Sequence, residues 1–121
     1  RMAVSSRIMI QQVAEVTIVD FIDAAIMDVL QIQQIGQELY ELVEQRDRRY
    51  ILLDFSNVKF LSSQTLGVML NLHKKLAARK GWMGVCGLKK DLHKVFKLTR
   101  LDRIFNFYET QQEALRTVRI K

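Results

Sequence analysis

From residue 50 onward, short apolar runs alternate with stretches whose apolar residues recur every three or four positions. RYILLDF (49–55) is nearly unbroken in its apolar character, as suits a central strand covered on both faces. From Gln64 to about Ala78, Leu66, Met69, Leu70, His73, Leu76 and Ala77 keep helical spacing. GWMGVCG (81–87) reads as a short strand between glycines. KDLHKVFKLT (90–99) reads as a helix with Leu92, Val95 and Phe96 inward. IFNFYE (104–109) is a last strand and TQQEALRTVRI (110–120) a closing helix, with Thr110 and Glu113 spaced as a capping box. Strand–helix alternation of this kind implies parallel strands joined by right-handed crossovers.

The amino half has a different rhythm. RIMIQQV (7–13) and EVTIVDF (15–21) alternate apolar and polar residues around a tight connection, adding an edge that pairs antiparallel. In DAAIMDVLQIQQIGQELYELVEQ (23–45), Ile32, Ile35, Leu39, Leu42 and Val43 form the stripe of a helix lying on a sheet. Gly36 is its weak point, costing up to ~1 kcal/mol against alanine. The expectation is one domain over residues 1–121. Its fold class is α/β, a small mixed but mostly parallel sheet with about four helices packed on it.

Composition agrees. With 49% of its 121 residues apolar, the chain can bury a core without staples, and it contains no proline and no linker. No stretch approaches the roughly 20 apolar residues that cross a bilayer, and RMAVSSRIMI lacks a signal-peptide pattern. A lone cysteine, Cys86, excludes an internal disulfide framework and fits a reducing compartment, so the expected location is cytoplasmic. The net charge of +6 is uneven, with ten Lys or Arg against Asp91 and Asp102 in residues 74–103. Such a patch favours acidic partners or is simply a solvated helical face.

Enzyme signatures are missing. There is no dinucleotide or phosphate-binding glycine loop, no Gly-x-Ser-x-Gly elbow, and no base to activate Ser62 or Ser63. His73 reads as a packed or partly exposed structural residue, His93 as a solvated one among lysines, and Cys86 as a small hydrophobe. No metal-ligand spacing connects them. No catalytic residue, cofactor or metal is expected.

What remains is DFSNVKFLSSQTLGVML (54–70), the end of a buried strand, a turn and a helix start. Functional groups of α/β sheets gather beyond the carboxyl ends of strands. Here that edge presents Asp54, Ser56, Asn57, Ser62 and Ser63. A hydroxyl at a helix start caps free amides, for ~1 kcal/mol. A phosphoryl group there is held by the same amides. Both readings require a small oxygen-bearing residue.

YILLDFSNVKFLSSQTLGVMLNLHKKL (50–76) resembles the signature of STAS domains, the family of bacterial anti-sigma factor antagonists. Asp54, Phe55 and Ser56 match the family's strand end, Phe60 and Leu61 its turn, Ser63 its phosphoacceptor serine, and Leu66 and Gly67 its Leu-Gly. Residues 81–115 resemble the remaining strands and helices, and Asp23-Ala24-Ala25 the Leu-Asp-Ala after the second strand. Ser62 replaces the usual acid, Thr65 the usual glycine, Gln64 a common Ser or Thr, and Asp20 the glycine before the Asp23 segment.

The resemblance implies a binding module whose unmodified form captures an anti-sigma factor of the serine kinase type and frees a sigma factor. Phosphorylation at Ser63, with Ser62 as second choice, breaks that capture. Asp23, Ser56, Asn57, Ser62, Gln64 and Thr65 would shape the contact surface, and ATP belongs to the partner. One rival is a non-phosphorylated scaffold forming homo- or hetero-oligomers with other STAS proteins, which the altered Ser62-Gln64-Thr65 supports. The other, nucleic-acid binding through Lys90, Lys94, Lys97 and the lysines before them, lacks interleaved base-reading side chains.

Overall fold

A computed structural model describes residues 6–118. Strands β1 (Ile8–Val13) and β2 (Val16–Phe21) form an antiparallel hairpin, and β2 then pairs parallel with β4 (Tyr50–Asp54). The parallel run continues through β6 (Trp82–Cys86) to β7 (Asn106–Tyr108), giving the order β1-β2-β4-β6-β7. Among the described residues only β1 is antiparallel. The mixed, mostly parallel sheet and the four α-helices of the described residues bear out the α/β expectation.

Period-two alternation in the strands loads both faces. Val19, Phe21, Ile51, Leu53, Met83 and Val85 join one large core with α1 (Val29–Glu44), α2 (Ser63–Ala78) and α3 (Lys90–Leu98). Val16, Ile18, Tyr50, Leu52 and Cys86 point the other way, where α4 (Gln111–Thr117) covers them through Ala114 and Leu115. All five residues of β4 are buried, as the apolar run 50–54 requires. Among the described residues no helix is long and apolar enough to cross a membrane.

Three boundaries differ from the sequence reading. The first helix starts at Val29 rather than near Asp23, because Asp28 accepts the amides of Leu30 and Gln31 while Gln31 reaches back to the cap. Residues Ala25–Ile26 instead form β3, paired parallel with β5 (Phe60–Leu61). The last strand is three residues long, since Leu101–Arg103 forms a 3-10 turn and Ile104 remains helical in backbone conformation. Thr110 takes the Glu113 amide as expected, whereas residues 119–120 of the expected final helix lie outside the described residues.

Candidate functional site

The strand-turn-helix at residues 54–66 is bolted to its surroundings from both ends. At the strand end, buried Asp54 accepts the Ser56 amide and hydroxyl at 2.8 and 2.5 Å, and the Gln111 side chain donates to its other oxygen at 2.6 Å. Lys89 Nζ donates to the Ser56 carbonyl. Gly87, at φ +73°, passes so close that a Cβ there would strike Ser56 Oγ and Asp54 Oδ1. Phe55 packs on Phe21 with ring centroids 4.8 Å apart, and fully buried Val58 pins the loop from below.

The second fastening is the strip 21–26. The Asn57 amide group donates to the carbonyls of Phe21 and Ile22, the Lys59 and Phe60 amides donate to the Ala24 carbonyl, and the Ser62 amide donates to the Ile26 carbonyl. Thr65 is 2% exposed, and its hydroxyl donates to the same Ile26 carbonyl at 3.3 Å. Thr65 therefore anchors the helix from inside, and the expectation that it offers a contact to a partner is corrected by its burial. Asp23 accepts from Gln31 at 2.9 Å and pairs with Arg7 at 3.4 Å, so it stands at the rim as a structural tie.

The two serines have separate situations. Ser62 occupies the cap position with extended backbone, yet its side chain makes no capping bond and its hydroxyl is enclosed without a partner among the described residues. That enclosure removes Ser62 from reach as the second-choice acceptor. Ser63 is the first helical residue and is exposed, as is Gln64. No acid lies in the first turn of α2, so its free amides and positive dipole end meet no compensating charge from that turn.

Around this point the surface is apolar, which sequence reasoning missed. Phe60 is 62% exposed, Met27 54% and Leu30 74%. Phe60 and Met27 adjoin the α2 start because β3 and β5 are paired and Met27 follows Ile26, the acceptor of the Ser62 amide, while Leu30 lies in the first turn of α1. The signal was present as apolar residues in short segments that fit neither helical nor strand periodicity.

Behind the site, Asp20, Asp54 and Cys86 sit side by side across three strands. Burial, and then the charge of Asp54, raise the Asp20 carboxyl above its ordinary range. Burial and the two acids push the Cys86 thiol up to about 12, so it is not a nucleophile. His73 lies edge-on to Phe105, and His93 rests 5.6 Å from the Phe107 ring rather than free in solvent. Lys90, Lys94 and Lys97 are exposed on α3 with Leu92 and Phe96 turned inward. Among the described residues, no three His, Cys, Asp or Glu side chains gather as metal ligands would.

Comparison with known proteins bears on the fold and the family. The chain is 27% identical to the anti-sigma F factor antagonist of Paenibacillus polymyxa over 81 residues, 67% of this chain and 69% of the relative. An anti-sigma factor antagonist STAS protein from Planctomyces limnophilus superposes with a TM-score of 0.81 at 22% identity, covering 89% of this chain and 94% of that one. The Bacillus cell fate determinant SpoIIAA, in its phosphorylated form, superposes with a TM-score of 0.72 at 20% identity, covering 93% and 99%. At these identities the structures speak to the fold alone. The sequence profile of the STAS domain, however, matches residues 7–114, nearly all of the chain, and the protein accordingly belongs to the STAS domain family.

Proposed function

We propose that this chain is an anti-sigma factor antagonist whose unmodified α2 face captures an anti-sigma factor of the serine kinase type, releasing a sigma factor, and that phosphorylation of Ser63 ends the capture. The observation that carries this reading is the exposed Ser63 on a doubly fastened helix start, with exposed Phe60 and Met27 on the paired segments that lead into it. Apolar side chains of this kind supply the contact area of an interface, and a serine at its centre supplies a place for charge.

A phosphoryl group adds a charge of about −1.5 to −2. At the start of α2 this domain tolerates it, with a gain of ~1 kcal/mol from the helix dipole. Across a packed interface the same charge meets desolvation and loses its water. A loss of only ~1.4 kcal/mol weakens binding tenfold, so no refolding is needed. Ser56, Asn57 and Asp23 frame the loop, and Gln64 lies on the contact face. ATP is the partner's substrate.

Incubation with a serine-kinase anti-sigma factor and ATP, followed by peptide mass spectrometry, tests the assignment. One phosphoryl group on the peptide containing Ser63, absent from Ser63→Ala, is the expected result. Phosphate on another residue, or none, overturns it. The replacements at Ser62 and Thr65 favour a second reading, an unphosphorylated scaffold, for which size-exclusion chromatography would show a large assembly.

A further inference from the structure

We infer that β1 is the interface through which two copies of this chain pair, joining their sheets into one of ten strands. The two edges of the sheet are unlike. At one end β7 has three residues, short as protected edges are. At the other, β1 has six, IMIQQV, with no charge and no proline, and leaves Met9 64% and Ile10 45% exposed. Long uncharged apolar edges of this kind are templates for strand addition.

The backbone pattern specifies the pairing. The Ile22 amide donates to the Arg7 carbonyl, so Arg7 turns its carbonyl toward β2. Antiparallel strands alternate, which turns Met9, Gln11 and Val13 toward β2 and leaves the amides and carbonyls of Ile8, Ile10 and Gln12 facing outward. Ile8 is already served, since Ser6 Oγ accepts from its amide at 3.2 Å and donates to its carbonyl at 2.8 Å. Among the described residues, four outward backbone groups remain open, on Ile10 and Gln12. A two-fold axis through Gln11 sets Ile10 of each copy opposite Gln12 of the other and satisfies all four with four interchain hydrogen bonds. The same register lays exposed Met9 across from Val13 of the second copy.

Charge points to the same occupant. Beside β1, Ser6, Ile8, Ile10 and Leu42 line a 230 Å³ depression rimmed by Glu38, Glu41 and Arg46. The Arg7 amide donates to Glu38, which puts that acid toward the start of β1, with Glu41 and then Arg46 following it along the chain. A two-fold axis reverses that order, so Arg46 of each copy approaches the acids of the other. A self-complementary rim of this kind is what an isologous dimer requires. This inference does not depend on the switch at Ser63, which lies at the start of α2 in another part of the chain.

Sedimentation velocity on the purified chain, up to on the order of 100 µM, measures the mass. A species of twice the chain mass is expected. Ile10→Pro removes an outward amide that β2 does not use, and Met9→Lys puts charge on the edge without touching the backbone. Both variants should be monomers with unchanged circular dichroism. Glu41→Arg and Arg46→Glu should each weaken the dimer at least several-fold and restore it when combined. A wild-type monomer throughout the range overturns the inference. So does a dimer that survives Met9→Lys, or an assembly larger than two.

Discussion

Gly67 sits inside α2, exposed, and a Cβ built on it meets nothing within 4 Å. A helix-interior glycine costs about 0.8–1 kcal/mol relative to alanine, and no contact within the chain repays that loss. Gly67→Ala should therefore stabilise the isolated domain by nearly 1 kcal/mol. At an unfolding entropy of roughly 2.1 cal/mol/K per residue, a chain of this length has roughly 0.25 kcal/mol/K, so the melting temperature should rise by ~4 °C. Differential scanning calorimetry reads this directly. Gly67 also lies one helical turn beyond Ser63, on the same side of α2. If the partner's backbone approaches there, the added methyl stabilises the domain while weakening capture. An unchanged or lower melting temperature would refute the packing argument. A higher one with undiminished capture would refute the close approach.

Three further outcomes follow from the residues behind the site. Asp20→Asn should raise the melting temperature at pH 7, with the gain vanishing below the ordinary carboxylate range. The folded state raises the Asp20 carboxyl, so its contribution is full at low pH and is lost as pH rises through the folded value; thermal melts across pH 3–8 check the sign. Cys86 should resist a thiol reagent in the native protein, because at pH 8 a thiol near 12 is thiolate in about one molecule in ten thousand, and react once denaturant is added. Asp54→Ala should cost ~2–3 kcal/mol in urea unfolding, since it strands the Ser56 and Gln111 donors that now converge on it.

The main layout was legible because the strands carry their environment in their composition. The run YILLD reads as a strand covered on both faces, and the apolar stripes of α1 and α2 keep helical spacing along most of their length. Residues 23–28 were misread because Ile26 continues the apolar spacing of α1, whereas Asp28 with Gln31 closes the helix start and frees Ala25–Ile26 to pair with Phe60–Leu61. Nothing local announces a two-residue parallel pair between segments 35 positions apart. The site divides in the same way. Ser63 at a helix start was readable from spacing, but the burial of Thr65, whose hydroxyl donates to the distant Ile26 carbonyl, and the enclosure of the Ser62 hydroxyl are set by tertiary placement. Exposure of Phe60, Met27 and Leu30 is likewise a property of tertiary placement, invisible while apolar residues are assumed to face inward.

The most direct test of the switch is the dissociation constant of the anti-sigma partner for three forms: unmodified, Ser63→Ala and Ser63→Asp, measured calorimetrically alongside the melting curve of each. Ser63→Ala should bind as the unmodified protein does, and Ser63→Asp at least tenfold more weakly with its melting temperature preserved. Equal affinities across the three, or a weak Ser63→Asp that has also lost its fold, would contradict a charge acting at the interface alone.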